Sequence, residues 1–451
     1  MKNHSYSCVF FSVLILFVAF FGITPNVFAD SLGVGALETA ETEEAAPEVQ
    51  EALALFREMK FEEAIKKLDD ARSRNMDMAP SQLIMAQWLS LANQPRAVRQ
   101  AIEQTVTKYP DDPEAYVVLA ELNLQNGGIT EAELLYGKTR EVVQKFNSSN
   151  KRKANIIRRY LLGMAQVCAA RGKNPEAIKN LTTLLNNDSK NVGAWNLLGM
   201  IQFQSENIPE TLKAFEKAKE LEPKSLVPEA RVAMLYHNKN ARKESQEYMT
   251  AALNKAPNDV DVRLVAAQWA LQLNSTEAAA KQADSALKID ENSTEAQLVR
   301  GIIALHQKDF VTAERNFQKV LATSPSSFPA TNNLALALCE QSADPAKLKK
   351  AEEYALVNVR MNNPPAEAFS TAAWVLYKKG EYNQALQFLQ NAIRLTNGQL
   401  SPDMGYYLAA TYAELNNPDM KKQAKEILTK VLETKQPFYK RSDAEALLKQ
   451  L

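Results

Sequence analysis

From about residue 158 onward the apolar positions of the chain recur in two alternating phases. In the stretch Val192–Ser225, Trp195, Leu198, Gly199 and Gln202 fall at spacings of three, one and three, which mark one face of a helix. A polar turn, Ser205-Glu206-Asn207, interrupts the pattern. Thr211, Phe215, Ala218 and Leu221 then mark a second helical face, and Pro223 closes the unit because its ring cannot continue a helix. The pattern then begins again. Positions 165, 199, 233, 267, 301 and 335, spaced 34 residues apart, hold Ala165, Gly199, Ala233, Ala267, Gly301 and Ala335, none larger than alanine. A fixed period in the range of roughly 20–50 residues means one supersecondary unit copied and stacked.

Each unit reads as a helical hairpin. With Val192 as position 1, the small residue at position 8 lets the first helix (A) approach the second (B) closely. A second small residue near position 20 serves the same contact from B: Ala177, Thr211, Ser245, Ala279, Ala313 and Ala385. Bulk at positions 4, 7 and 24 fills the gaps. Some copies depart: the unit from Val260 has Arg263 and Ala283 at bulky positions, and the unit from Thr294 has Arg300 where a buried leucine is expected. Two insertions break the phase. Residues 145–155 (KFNSSNKRKAN) are polar and basic and predict an extended loop or helix overhang; residues 341–350 (QSADPAKLKK) add four residues before the small Ala351. Residues 401–432 read as a last, distorted repeat. The terminal RSDAEALLKQL is amphipathic, with Ser442 or Asp443 as candidate N-cap, and suits a helix that caps the end of an array. No alternating run of β-branched residues is long enough for a strand. The expected organisation is all-α: a repeat array over 49–436 of about eleven units, clearest over 158–327 and 366–399, then a capping helix at 437–451.

The unit from Val192 resembles the tetratricopeptide repeat. It matches that family's signature at Trp195, Leu198, Gly199, Phe215, Ala218 and Pro223, with Gln202 for the usual tyrosine and Thr211 for the usual alanine. The resemblance implies a right-handed α-solenoid superhelix of stacked helix-turn-helix units that holds a partner protein or peptide in its concave face. In this family the A helices line that face through positions 2, 5, 9, 12 and 13. Carried across, these positions give Asn196, Met200, Phe203, Met234, His237, Leu271, Ile302, Leu305, His306, Asn332, Leu336, Trp374 and Tyr377 as the candidate partner-binding groove. The lysine/asparagine/arginine carboxylate clamp of the chaperone-binding members is not matched, because Asn196 and Asn332 have no lysine or arginine beside them. A wall of Met, Leu, Phe and Trp suits a helix or extended peptide with apolar anchors. The competing reading is that these side chains pack between adjacent A helices.

Charge changes little in this picture. Lysine plus arginine and aspartate plus glutamate both number 53, so no global field favours nucleic acid or an anionic membrane. The local run Lys151-Arg152-Lys153 with Arg158-Arg159 reads as a solvated loop. The chain start differs in kind. Lys2 precedes the uncharged run Cys8–Ile23 and then Val27-Phe28-Ala29, the layout of a secretory signal peptide over 1–29. The rival is an uncleaved membrane anchor, although the 16-residue run falls short of the roughly 20 needed to span a bilayer. Residues 30–48 hold five glutamates and little bulk, and read as an acidic flexible linker.

Chemistry is sparse. His237 and His306 lie two repeats apart, and Cys168 and Cys339 five repeats apart, so no zinc cluster, nucleophile–His pair or disulfide is expected. No glycine-rich phosphate loop is present. The expectation is a non-enzymatic scaffold without cofactor or metal, exported to the periplasm or cell envelope, where proteins similar to it serve in envelope assembly and polysaccharide export. Its partner would be a protein or peptide, with membrane contact only through an uncleaved N-terminus. The alternatives are a glycan or small-ligand binding protein, using Trp374, Tyr377 and Trp269 as stacking platforms, and a regulatory subunit of an envelope enzyme or export complex.

Overall fold

The structure, a computed structural model, describes residues 47–415, 417–434 and 437–451. The signal or anchor segment and nearly all of the expected linker lie outside them. Among the described residues the chain is all-α: 23 helices pair into eleven hairpins, and one terminal helix is left over. They fall into two compact units that divide after Ser225.

The first unit holds five hairpins: α1 (Pro47–Arg57) and α2 (Phe61–Arg74), α3 (Ser81–Leu91) and α4 (Pro95–Lys108), α5 (Pro113–Gln125) and α6 (Ile129–Lys145), α7 (Asn150–Ala170) and α8 (Asn174–Asn187), α9 (Val192–Gln204) and α10 (Ile208–Leu221). Helix α1 begins at Pro47, inside the stretch read as linker. The second unit holds α11 (Pro228–Asn238) and α12 (Arg242–Lys255), α13 (Val260–Gln272) and α14 (Thr276–Ile289), α15 (Thr294–His306) and α16 (Phe310–Thr323), α17 (Phe328–Cys339) and α18 (Pro345–Val359), α19 (Ala366–Lys378) and α20 (Tyr382–Leu395), α21 (Pro402–Glu414) and α22 (Pro418–Glu433), and the terminal α23 (Arg441–Gln450). None of these helices is long and apolar enough to cross a membrane.

Local chemistry sets the ends of the helices. Asn191, Asp259, Ser293 and Ser327 each accept a hydrogen bond from a backbone N–H of the first turn of the A helix that follows. At the other end, Asn93, Gly127, Gly172, Glu206, Asn240, Asn274, Lys308 and Gly380 all take a left-handed backbone with positive φ. The next residue's N–H then bonds back five residues, as Asn207 does to the Gln202 carbonyl and Asp309 to the Ala304 carbonyl. This closes helix A and aims the chain into helix B.

Inside each hairpin the small residues do what their spacing predicts. The six small residues at position 20 are fully buried, as are Ala165, Ala233, Ala267 and Ala335 at position 8. The two glycines at position 8 have a sharper role. A Cβ on Gly301 would lie 2.5 Å from the Phe317 ring, and one on Gly199 would run into Phe215 in the same way. Glycine thus appears where position 24 is phenylalanine, whereas Ala165 and Ala373 go with the smaller, fully buried Leu181 and Leu389. Cys168 and Cys339 are buried free thiols within this packing.

Three local readings sharpen or change. Of the two readings of the insertion at 145–155, the structure takes the helix overhang: α6 ends at Lys145, Ser149 caps α7 by accepting from the Arg152 N–H, and the polar residues become the first turns of a 21-residue helix. Its basic run is solvated only in part, at Lys151 and Arg158. Arg152 is buried against Asp112 and Glu114 at 2.8 and 2.7 Å, and Arg159 donates to Glu121. An arginine at that depth is held by carboxylates on the neighbouring A helix. Finally, α23 starts at Arg441, so Ser442 and Asp443 lie in its first turn and neither is the N-cap. Asp443 is drawn away into ion pairs instead.

Candidate functional site

In the second unit the A helices of successive hairpins touch directly, α11 with α13, α13 with α15, and so on to α19 with α21; in the first unit α5 touches α7. The A helices thus form a continuous wall within the second unit. The expected groove residues, on α9 of the first unit and on A helices of the second, divide by burial. Phe203, Met234, Leu271, Leu305, Leu336 and Trp374 are buried, Phe203 at 3 % and Met234 at 2 % relative exposure, and so is Asn332. They are not open anchors in this conformation. Within the second unit the reason is distance: neighbouring A helices approach closely enough for long side chains at positions 9 and 12 to be covered by the next hairpin. Asn196, Met200, His237, Ile302, His306 and Tyr377 are half-buried and keep part of their surface. Burial holds the His306 imidazole down at about 4, so it is neutral at pH 7.

One part of the wall is occupied. The segment from Phe438 to Asp443 lies against residues on or just past the A helices α15, α17, α19 and α21. Phe438, Tyr439 and Lys440 are all buried, Lys440 at 4 % relative exposure. The Lys440 ammonium sits 2.7 Å from Glu340 Oε1 and 3.2 Å from Asp443 Oδ2, and 5.1 Å over the Trp374 ring. Glu340 also accepts from Trp374 Nε1 at 2.6 Å and pairs with Lys378 at 3.1 Å. Asp443 reaches Lys308, just past the end of α15, at 2.6 Å. The Tyr439 and Tyr407 hydroxyls share a hydrogen bond of 2.8 Å.

Burial works against the Glu340 carboxylate, but Lys440, Lys378 and the Trp374 N–H outweigh it and hold its pKa below the usual range. Asp403, on α21, is the opposite case. Burial raises its pKa to about 7 against the nearby Lys440 charge, and its Oδ1 has no hydrogen-bond partner.

Trp374, one of the aromatic platforms expected for a glycan, is covered: it stacks between Tyr377 and Tyr407, each ring 4.6 Å away and nearly parallel. Trp269 is half-buried and donates its Nε1–H to Ser245 Oγ at 2.8 Å.

The sequence pattern missed Glu340, Lys378 and Lys440. Glu340 was within reach: it stands 34 residues after His306, in the same column at position 13. Lys378 holds position 13 of its own hairpin. Lys440 lies outside the repeat, and no spacing connects it to the wall.

A tetratricopeptide repeat model matches residues 162–225 and 264–328. No curated protein matches the chain. Among solved structures, the chain is similar to a tetratricopeptide repeat protein from Parabacteroides merdae, at 17% identity and a TM-score of 0.39, over 56% of this chain and 98% of that one. It is similar to a thermophilic TPR protein of Thermus thermophilus, at 20% identity and 0.36, over 42% and 98%. Yeast Tom70 matches at 14% identity and 0.37, over 92% and 95%.

Proposed function

We propose, from the premise that this chain is a tetratricopeptide-repeat solenoid, that it is a non-enzymatic scaffold which binds one partner protein along its A helices. Proteins of this repeat family are protein-interaction scaffolds. The observation that supports this placement is the seat of residues 438–443: a turn and the first residues of α23 already lie on the A-helix wall of the second unit, held by side chains from several hairpins. Side chains that hold one peptide segment in this way provide both the apolar cover and the charged register that peptide recognition needs.

Binding would use the half-buried members of the wall. A photo-crosslinking residue placed at Met200 or at Ile302 should label one discrete protein in an envelope extract, and the same residue at the exposed Glu220 of α10 should not. Equal labelling from Glu220 would move the binding face to the B helices.

We propose further that the protein acts outside the cytoplasm, as a mature chain starting at Asp30. What supports this is the Lys2, Cys8–Ile23 and Val27-Phe28-Ala29 sequence. N-terminal sequencing of the envelope fraction should read Asp-Ser-Leu-Gly. Recovery of Met1 in the membrane pellet would replace cleavage with anchoring.

A further inference from the structure

We propose that the notch made by Glu340, Trp374 and Tyr407 is a lysine-reading subsite, filled in cis by Lys440 in the conformation seen. Its partner in trans is a peptide with an aromatic residue directly followed by lysine and a carboxylate three residues further on. The proposal rests on the reading that partners bind along the A helices, and it names what they must carry.

Three observations point away from a simple end cap. An end cap covers the free face of the last hairpin, α21/α22. The segment does pack on that hairpin, with Tyr439 on Tyr407 and the Arg441 guanidinium donating to the Leu432 and Thr434 carbonyls. Yet its charged anchors reach further back, to Lys308 beside α15, Glu340 beside α17 and Trp374 on α19, and the Lys308–Asp443 pair joins residues 135 apart in sequence. Second, burial is densest just before the helix: Phe438, Tyr439 and Lys440 are consecutive and all buried, whereas α23 has one buried residue, Ala444, with Leu447, Leu448 and Leu451 partly covered and no side-chain N-cap bond.

Third, the seat is matched in charge and shape to one kind of side chain. A carboxylate at 2.7 Å and an aromatic face at 5.1 Å receive the ammonium, while the Tyr407 hydroxyl pairs with the hydroxyl of the preceding tyrosine. A seal would need apolar bulk alone. A buried cation bound by a carboxylate and an indole discriminates, because a neutral or acidic replacement takes one of two counter-charges from Glu340 at 5 % side-chain exposure and leaves it Lys378 alone. The Asp443–Lys308 pair adds a second point three residues on and so sets direction. The tethered segment competes with any free peptide at an effective concentration on the order of 1 mM, so the subsite is masked until that segment is displaced.

The test uses the full chain and a fluorescent peptide with the sequence of residues 437–451. In a Lys440→Glu chain the cis segment no longer fits, and the peptide should bind at least tenfold more tightly than it does to the wild-type chain. The same peptide carrying Lys440→Glu should bind the variant chain at least tenfold more weakly. Equal binding in all combinations overturns the proposal.

Hydrogen exchange on the wild-type chain guards against a variant that misfolds. Residues 437–451 should exchange at least tenfold faster than α19–α22, through their own release. Exchange at the same rate as those helices makes the segment a cap and overturns the subsite. If the peptide results fail while crosslinking from Met200 or Ile302 still finds a partner, the subsite falls and the A-helix reading stands.

Discussion

At the scale of single residues, packing and buried charge each leave a measurable mark. The pairing of Gly199 with Phe215 and of Gly301 with Phe317 is a volume exchange between positions 8 and 24. Gly199→Ala should therefore cost about 1–3 kcal/mol by overpacking. Adding Phe215→Leu should recover most of that loss, because the pair then matches Ala165 with Leu181; chemical denaturation of the two variants checks it. Arg152 illustrates the charged case. Its guanidinium and the Asp112 carboxylate are each 6 % exposed, so Arg152→Ala leaves buried carboxylates uncompensated and should cost roughly 3–5 kcal/mol. A loss under about 1 kcal/mol would mean that water or Arg72 takes over. Asp403 carries a pH signature. Its folded pKa is raised to about 7, above its unfolded value near 3.9, so its contribution is fully present below about pH 4 and is lost as pH rises towards and through 7. Asp403→Asn should be more stable than wild type at pH 8, by about 1–4 kcal/mol, and the difference should vanish by about pH 4. Taking the difference between the two chains removes the opposing contribution of His306, whose depressed pKa makes stability fall with acidification. Thermal melts at the two pH values decide it.

At the scale of elements, nine of the eleven hairpins place a single left-handed residue in the A–B turn among the described residues. The pattern of apolar positions brackets these turns, but glycine marks the left-handed position only at Gly127, Gly172 and Gly380. Glu206, Asn240, Asn274 and Lys308 take the same backbone at φ between 58° and 60°. Polar side chains disguised the motif, since the bond that sets φ is the N–H reaching back five residues and has no residue-type signature except glycine. Side chains other than glycine are strained there, by roughly 1–2 kcal/mol, and glycine returns part of that gain through its freer unfolded chain. Glu206→Gly should therefore stabilise the first unit by about 0.5 kcal/mol net. A lower denaturation midpoint in the variant would show that Glu206 makes a contact worth more than its strain. The start of α7 is ambiguous in sequence, loop or helix overhang, for a related reason. A basic, polar stretch looks like a loop until Asp112 and Glu114 of α5 arrive beside it, and those partners lie 40 and 38 residues away in the chain.

At the scale of the molecule, repeat architecture makes stability a sum of hairpins and their nearest neighbours. Gly301→Leu should open α13 to α18, because the added side chain meets Phe317, and should leave α1 to α8 as protected as before. Hydrogen exchange read by peptide mass decides the matter; uniform loss of protection over residues 47–451 would mean that the chain unfolds as one cooperative block.

The sequence alone determined the all-α class, the hairpin unit, its period of 34 and the count of about eleven, because each depends on the spacing of small and apolar residues along one short segment. Which wall residues are open was decided by the tertiary structure. Met234, Leu305 and Trp374 hold groove positions by spacing, yet they are covered, since exposure depends on how closely the next hairpin packs. Glu340 was legible as one more member of a column, but its meaning was not. Only folding brings Lys440 to it from outside the repeat, and a buried charge finds its counter-charge by position in space, whatever the separation along the chain.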